Sequence, residues 1–265
     1  MIAVIGAGKM GEALVSGLLK AGTSPDDLVI TERYDERAHE LSQRYGVKSV
    51  SNADAARLAD TIVLAVKPQD MDALLAELAP LVGPDRLIVT IAAGIPTSAI
   101  EKRLADGVPV VRVMPNTPAL VGEAMSAVAA GAHASSVHLE RAEQLFRPVG
   151  KVVRLPESQL DAVTALSGSG PAYVFFLVEA MTDAGLLLGL PRETAHELVV
   201  QTVYGAAVML RETGEHPVAL REAVTSPAGT TIAAIRELEK HGVRAAFLAA
   251  LEAARDRSRE LAAGQ

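Results

Sequence analysis

Three glycines near the N-terminus form the clearest candidate for a ligand-binding motif. They lie in the segment Gly6-Ala7-Gly8-Lys9-Met10-Gly11, between an apolar run, Ile2 to Ile5, and a helical pattern. In a strand, turn and helix of this kind, Gly6 permits the tight turn, Gly8 lets the backbone approach a pyrophosphate and Gly11 allows close packing of the helix. The free N–H groups at the start of the helix attract phosphate. The segment therefore predicts a dinucleotide site.

A second signal follows about 20 residues later, where such folds contact the adenosine ribose. The chain there reads Thr31-Glu32-Arg33. Glu32 is suited to accept a hydrogen bond from the ribose 2′-hydroxyl of NADH, and Arg33 to bind the 2′-phosphate of NADPH. Both residues are also ordinary solvated loop charges in a third interpretation. We expect NADPH, with NADH as the alternative.

Three further segments follow apolar strand patterns and therefore belong at the ligand edge of a parallel sheet. They are Ala65-Val66-Lys67-Pro68, Ile91-Ala92-Ala93-Gly94 and Asn116-Thr117-Pro118. Lys67 is placed to reach a ligand oxygen, and the small side chains of the second segment leave room for a flat ring. An ordinary loop charge and simple close packing are the alternative interpretations of these two features.

Two Ser- and Thr-rich segments open helical patterns in the second half of the chain, Ser167-Gly168-Ser169-Gly170-Pro171 and Thr225-Ser226-Pro227-Ala228-Gly229-Thr230-Thr231. Hydroxyls and free N–H groups at the start of a helix form an anion site. The second segment contains no Lys or Arg, so it suits one carboxylate better than a polyphosphate. Helix capping alone is the alternative for both segments.

Catalytic groups of other kinds are scarce. The chain has no Cys, its six His are scattered outside the segments above, and no metal-ligand spacing is present, so we expect no metal. Reduction of a ketone usually needs a positioned acid, whereas a protonated imine accepts hydride directly. Because no general acid is evident in these segments, they favour reduction of an imine over reduction of a ketone.

The elements that position these residues alternate in the first part of the chain. Apolar runs predict strands over Ile2 to Ile5, Leu28 to Thr31, Thr61 to Val66, Leu87 to Ile91, Val110 to Met114, Ser126 to Ala129 and Lys151 to Arg154. Helical patterns cover Lys9 to Lys20, Asp35 to Tyr45, Met71 to Leu78, Thr97 to Leu104 and Ser136 to Phe146. This alternation predicts an α/β fold with a doubly wound, Rossmann-type parallel sheet.

After Pro156 only helical patterns remain. They cover Gln159 to Ala165, Pro171 to Leu188, Arg192 to Glu212, Pro217 to Glu222, Thr230 to Lys240 and Arg244 to Ala263. We predict a dinucleotide-binding domain at 1–156 and an all-helical domain at 157–265. Because a domain of that size hides limited apolar surface, its apolar runs predict a dimer interface.

Composition narrows the classes of partner. The net charge of -7 argues against nucleic acid. The most apolar stretch, Ala172 to Leu190, carries Glu179 and Asp183, so we interpret it as a buried helix and not a membrane span. The N-terminus lacks the basic flank of a signal peptide, and we expect a cytoplasmic protein.

Several segments together resemble the pyrroline-5-carboxylate reductase family. Besides the glycine turn and the segments at the strand ends, they include Met114 to Pro118, Ser167 to Tyr173 (SGSGPAY), Glu212 to Pro217 (ETGEHP) and Thr225 to Ile232. They occur in the family's order and span nearly the whole chain. SGSGPAY together with the second Ser- and Thr-rich segment is highly specific, whereas the glycine turn alone is not.

The resemblance implies an NAD(P)H-dependent reductase that converts 1-pyrroline-5-carboxylate to proline, with a helical dimerisation domain and often a ring of dimers, such as a decamer. It places the substrate carboxylate on Ser226, Gly229 and Thr230, and the ring nitrogen on Thr231. The implied cofactor contacts are Ile5, Gly6, Ala7, Gly8, Lys9, Met10, Arg33, Asn52, Ala65, Val66, Lys67, Pro68, Ile91, Ala92 and Ala93.

Two residues depart from the family's pattern: Ala228 replaces a more usual Gly, which is expected to stiffen the loop, and Glu32 stands beside Arg33. A 3-hydroxyacid or ketoacid dehydrogenase is an alternative function, but it would carry a catalytic Lys on the helix from Pro171 to Leu190, which has none. A non-catalytic NADP-sensing protein is another alternative, which predicts cofactor binding without turnover.

Overall fold

One eight-stranded sheet, whose central strands are buried β-branched runs, organises the fold in a computed structural model that describes residues 1–262. The strands are β1 (Ile2–Ile5), β2 (Leu28–Thr31), β3 (Lys48–Ser49), β4 (Thr61–Leu64), β5 (Leu87–Thr90), β6 (Val110–Met114), β7 (Ala124–Ala130) and β8 (Gly150–Arg154). Their order is β3-β2-β1-β4-β5-β6-β7-β8. The first six strands follow the order of a Rossmann fold, and ligands bind such sheets at the carboxyl ends of the strands, where the order reverses.

The sheet is parallel from β3 to β6, and β7 runs antiparallel to β6. A parallel return needs a crossover, usually a helix, whereas only a short turn of 3-10 helix, Thr117–Val121, separates β6 from β7. The prediction of a parallel sheet is therefore correct for six strands and wrong for the direction of β7 and β8.

Helices cover both faces of the sheet. In chain order they are α1 (Lys9–Lys20), α2 (Asp35–Tyr45), α3 (Asn52–Leu58), α4 (Met71–Leu78), α5 (Thr97–Glu101), α6 (Ser136–Phe146), α7 (Leu160–Val163), α8 (Gly170–Leu187), α9 (Arg192–Thr213), α10 (Pro217–Ala223), α11 (Thr230–Lys240) and α12 (Val243–Ala262). Side chains alternate along β1, so that Val4 belongs to the core under α1 and α6, while Ala3 and Ile5 belong to the core under α3 and α4.

Several predicted elements differ from the structure. Strand β3 and helix α3 were not predicted, and α5 ends at Glu101, before the predicted Leu104. The helix predicted over Gln159 to Ala165 is the short α7, followed by a π-helical turn, Thr164–Gly168. The predicted end of the last helix, Ala263, lies outside the described residues.

The chain forms two compact units. The first comprises Met1–Ser169 with the chain from Ala254 onward, and the second comprises Gly170–Ala253. The first unit extends past Pro156 because the fully buried Leu160 packs against Ala127 and Ala129 of the sheet. The functional boundary at Pro156 stays a prediction.

The second unit has little hydrophobic core of its own. Within its described range, Gly170–Ala253, only Ala195 and Val199 are buried hydrophobic side chains. The buried helix predicted at Ala172 to Leu190 is therefore wrong for the single chain, because Phe175 and Phe176 are 67% and 73% exposed. Continuous helix over Glu157–Leu187 is long and apolar enough to cross a membrane, by length and composition alone.

Candidate functional site

A cleft of about 530 Å³ opens at the carboxyl ends of β1, β2 and β4. It lies at the edge where strand order reverses between β1 and β4. Eight of the predicted cofactor residues line it: Ile5, Gly6, Gly8, Arg33, Asn52, Ala65, Val66 and Lys67. The topology therefore brings together four segments that are far apart in the sequence.

The three glycines of the turn have different structural reasons to lack a side chain. Gly6 adopts a φ of +90°, and its N–H donates to the Thr31 carbonyl oxygen at 3.0 Å. A β-carbon on Gly11 would lie 2.5 Å from the Gly6 carbonyl oxygen, so helix and turn pack directly. A β-carbon on Gly8 would meet no atom within 4 Å.

The donors around Gly8 fit a pyrophosphate. Gly8 is the N-cap of α1 and supplies no side-chain cap, so the N–H groups of the first turn have no partner within the helix. These groups lie at the positive end of the helix dipole, and the open space beside Gly8 permits close approach of an anion. The residues present therefore fit a dinucleotide.

The second strand ends in two opposite charges at the cleft. The partly buried Glu32 accepts a hydrogen bond from the Arg33 backbone N–H at 2.8 Å. Arg33 and Tyr34 are exposed and line the same wall. Both interpretations of this corner, a ribose site and a phosphate site, place their ligand beside these side chains.

Helix α4 forms a wall of the cleft that the sequence analysis missed. Glu32, which the sequence offered as a ribose contact, also lines the cleft, and the lining residues to which the sequence gave no role are Thr31, Tyr34, Gln69, Asp70, Ala73, Leu74 and Glu77. Asp70, Ala73, Leu74 and Glu77 have the spacing of one helical face, which was visible in the sequence. The direction of that face was not, because it depends on the packing of α4 beside α3, where Asn52 Nδ2 donates to Glu77 Oε2 at 2.9 Å.

The other predicted cofactor residues do not line this cleft. Ala7, Lys9, Met10 and Gly11 continue the glycine turn into α1, Pro68 begins a turn of 3-10 helix after Lys67, and Ile91, Ala92 and Ala93 follow β5. The segment after β5 ends at Thr97, whose N–H and hydroxyl donate to the Glu157 carboxylate at 2.8 and 2.7 Å. The buried Arg112 pairs with the same carboxylate at 3.3 Å.

Asn116 holds the first Ser- and Thr-rich segment against the sheet. Its Nδ2 donates to the Ser167 carbonyl oxygen at 3.0 Å, and its Oδ1 accepts from the Met125 N–H at 2.9 Å. Ser167 lies in the π-helical turn, which is closed by a hydrogen bond from the Ser169 N–H to the Thr164 carbonyl oxygen. Such turns occur often at functional sites.

The second Ser- and Thr-rich segment begins α11 in the second unit. Gly229 is the N-cap, with no side-chain cap, and its N–H donates to the Ser226 carbonyl oxygen at 3.1 Å. Within residues 1–262, no hydrogen-bond partner is found for the hydroxyls of Ser226, Thr230 and Thr231. Ala228 has a φ of 57° and is the single non-glycine residue with positive φ in the described chain.

One ion-pair network fixes α1 against α2 beside the glycine turn. Burial opposes ionisation of Glu12, but hydrogen bonds from Tyr45, Arg37 and Arg44 outweigh it and lower the pKa of this carboxyl. Glu40 pairs with both arginines as well. The two guanidinium groups of α2 are therefore already neutralised.

No group of three or more His, Asp or Glu side chains in the described residues is arranged to hold a metal. A Rossmann sheet, a glycine turn at its switch point and a helical second unit define a dinucleotide-dependent oxidoreductase. This class contains several reactions.

Comparison with known proteins defines the family. Residues 157–261 match the pyrroline-5-carboxylate reductase dimerisation family, and residues 1–94 match the family described as NADP oxidoreductase coenzyme F420-dependent. The chain is 49% identical to a pyrroline-5-carboxylate reductase of Corynebacterium melassecola over 98% of both chains. It belongs to the pyrroline-5-carboxylate reductase family.

Solved structures agree with this assignment. A pyrroline-5-carboxylate reductase from Coxiella burnetii is 39% identical, with a TM-score of 0.93 over 98% of this chain and 97% of the other. Plasmodium falciparum pyrroline carboxylate reductase, solved with NADP bound, is 30% identical, with a TM-score of 0.88 over 98% of this chain and 97% of the other. The protein is an NAD(P)H-dependent oxidoreductase and a homo-oligomer.

Proposed function

We propose that the protein reduces the C=N bond of 1-pyrroline-5-carboxylate to give L-proline, the last step of proline biosynthesis. The observation that carries this proposal is the start of α11, where three unpartnered hydroxyls and free N–H groups occur in a chain of this family. We assign cofactor binding to residues 1–156, and substrate binding and dimerisation to residues 157–265.

The cofactor would be held by the glycine turn and by the loops that follow β2, β4 and β5. Ile5 to Met10 would bind the pyrophosphate, Arg33 and Asn52 would contact the adenosine half, and the segments at Ala65 to Pro68 and Ile91 to Ala93 would contact the remainder. NAD(P)H supplies a hydride when it is bound. The chain's own contribution is orientation and electrostatics.

The substrate carboxylate would bind at the start of α11. The Ser226 and Thr230 hydroxyls and the Thr230 N–H are donors, Gly229 leaves the start of the helix open, and the positive end of the helix dipole favours an anion there. Thr231 would hydrogen-bond the ring nitrogen. Since a protonated imine arrives with its proton, these residues need to orient the substrate and need not donate a proton.

The test is a spectrophotometric assay with 1-pyrroline-5-carboxylate, run with NADH and with NADPH. Thr231→Ala should lower kcat/KM by about tenfold or more, because an orienting hydrogen bond is removed. The matched control is Thr225→Ala, since the Thr225 hydroxyl donates to the Arg221 carbonyl oxygen at 2.6 Å and is not assigned to the substrate. Absence of turnover in the wild type, or unchanged kinetics in Thr231→Ala, would contradict the proposal.

We also propose that the oligomer is a homodimer, assembled further into a ring such as a decamer, and that it is cytoplasmic. The exposed apolar faces of α8 and α9 support a second copy as the partner, because the dimerisation family covers both helices. Light scattering of the purified protein measures the assembly directly.

A further inference from the structure

The corner at the end of β2 contains two residues with opposite preferences for the cofactor. Glu32 and Arg33 both line the cleft, about 20 residues after Gly11, where the adenosine ribose binds in this fold. A carboxylate there accepts hydrogen bonds from the ribose hydroxyls of NADH, whereas an arginine accommodates the 2′-phosphate of NADPH. The sequence alone left this choice open and favoured NADPH.

A backbone hydrogen bond fixes the position of the Glu32 carboxylate. Its Oε1 accepts the Arg33 backbone N–H at 2.8 Å, and the residue is partly buried. Oε2 has no hydrogen-bond partner within residues 1–262 and remains available for a ribose hydroxyl. A fixed carboxylate beside the ribose also repels a 2′-phosphate dianion, and partial burial strengthens the repulsion relative to bulk water.

The positive charge that would offset this repulsion is small. No ion pair is found for the Arg33 guanidinium in the described part of the chain, so it is the cation at the end of β2 that is available for a 2′-phosphate. Lys67, the other cation of the cleft lining, follows β4. Arg37 and Arg44 are occupied by Glu12 and Glu40.

The helix that follows adds negative charge. Two acidic residues, Asp35 and Glu36, occupy the first turn of α2. Their carboxylates offset the positive end of the helix dipole, which would otherwise attract a phosphate. The charge around the ribose corner is therefore negative overall, with Arg33 as its one free cation among the described residues near β2.

We propose that Glu32 is the residue that determines cofactor specificity and that it makes NADH the preferred cofactor. The proposal rests on the cofactor cleft assigned above. Glu32 acts in two ways, because it accepts a hydrogen bond from the ribose 2′-hydroxyl, which NADPH lacks, and because it repels a 2′-phosphate.

The test measures binding and turnover separately. Calorimetric titration of the wild-type protein should give a dissociation constant for NADH that is about tenfold lower than that for NADPH. In Glu32→Gln, which keeps the size of the side chain and removes its charge, the ratio of the two constants should move toward NADPH by about tenfold. The kcat/KM ratio should move in the same direction.

Glu140→Gln is the matched control, because it removes an exposed charge from α6, which packs on β6, β7 and β8 and not at the end of β2; its cofactor ratio should change by less than about twofold. Tighter binding of NADPH than of NADH by the wild type, or an unchanged ratio in Glu32→Gln, would overturn the proposal. Binding of neither cofactor by the wild type would instead contradict the cleft, and with it the proposed function.

Discussion

Gly8 and Gly11 differ in how closely the fold packs against them. The space beside the Gly8 α-carbon is open, whereas Gly11 is in direct contact with the turn. The sequence motif asks for glycine at both positions and does not distinguish the two reasons for it. The structure shows that packing requires a glycine at position 11 and not at position 8, where we propose that the cofactor does.

Gly8→Val should therefore abolish cofactor binding and leave the fold intact. The new side chain would occupy the space where the pyrophosphate approaches, and the extended backbone of Gly8 (φ -64°) accepts a valine, with a loss of at most about 1 kcal/mol in helix capping. Fluorescence titration with NADH measures binding, and calorimetry measures the melting temperature.

Gly11→Val is the comparison for this prediction. Its side chain meets the Gly6 carbonyl oxygen, so the melting temperature should fall by several degrees, since about 1 kcal/mol corresponds to a few degrees in a chain of this size. If Gly8→Val binds NADH as the wild type does, the pyrophosphate does not lie at this turn.

At the scale of elements, ion pairs of one buried carboxylate connect a helix of the first unit to the edge strand beside it. Glu143 of α6 is almost fully buried and pairs with Arg154 of β8 and with Arg147 at 2.7 Å. The hydrogen bond from Arg154 lowers the pKa of the Glu143 carboxyl, and burial opposes this effect without reversing it. The pair joins an edge strand to the helix that covers it.

This pair should make stability sensitive to acid. Because the folded-state pKa of Glu143 lies below its unfolded value of about 4.3, the ion pair stabilises the fold above that pH. The stabilisation is lost as pH falls from about 5 through the folded-state pKa. Glu143→Gln should flatten the decline of melting temperature over this range.

Glu222→Gln serves as the control for this measurement, because Glu222 is exposed on α10 and no ion pair is found for it within residues 1–262. Its pH profile should follow that of the wild type. A Glu143→Gln profile as steep as the wild-type profile would show that other carboxyls determine acid sensitivity.

The bounds of a helix or strand were predictable where its own residues have a clear periodic or apolar pattern. Helices α1, α2, α4 and α6 and strands β1, β2 and β6 have the predicted bounds. Strand β3 has two exposed residues and α3 only seven residues, so neither has enough periodicity to detect. The π-helical turn depends on Asn116, 51 residues before Ser167, and local sequence cannot reveal a contact of that range.

The site was predictable in part for the same reason. Gly6, Gly8, Arg33 and Lys67 follow strands whose ends were identifiable, and parallel strands bring such ends together. The face of α4 that completes the cleft required knowledge of packing. Whether each of these residues contacts the ligand remains a prediction.

At the scale of the whole molecule, the second unit needs a second copy of the chain to cover its apolar surface. Only two hydrophobic side chains are buried within its described range, while large apolar side chains of α8 and α9 remain exposed. A patch of this kind marks an interface. The family match over residues 157–261 identifies the partner as another copy of the chain.

Phe176→Glu should therefore shift the protein to a smaller assembly. The side chain is 73% exposed on α8, so the single chain tolerates a charge there, whereas an interface between copies would bury that charge. Size-exclusion chromatography with light scattering measures the mass, and circular dichroism checks that the helices remain.

Val137→Glu is a control on α6 of the first unit, where the side chain is 69% exposed. Its mass should equal that of the wild type. An unchanged mass for Phe176→Glu would place the interface elsewhere.

The left-handed backbone at Ala228 should make the loop before α11 a rigid site for the proposed substrate. An alanine at a φ of 57° carries strain of about 1 kcal/mol that a glycine would avoid, and the folded protein sustains that strain before any ligand arrives. Alanine also has fewer accessible conformations than glycine. A loop already fixed in shape has little entropy left to lose when an anion docks, so capture should depend on diffusion and charge and not on a slow rearrangement of the backbone.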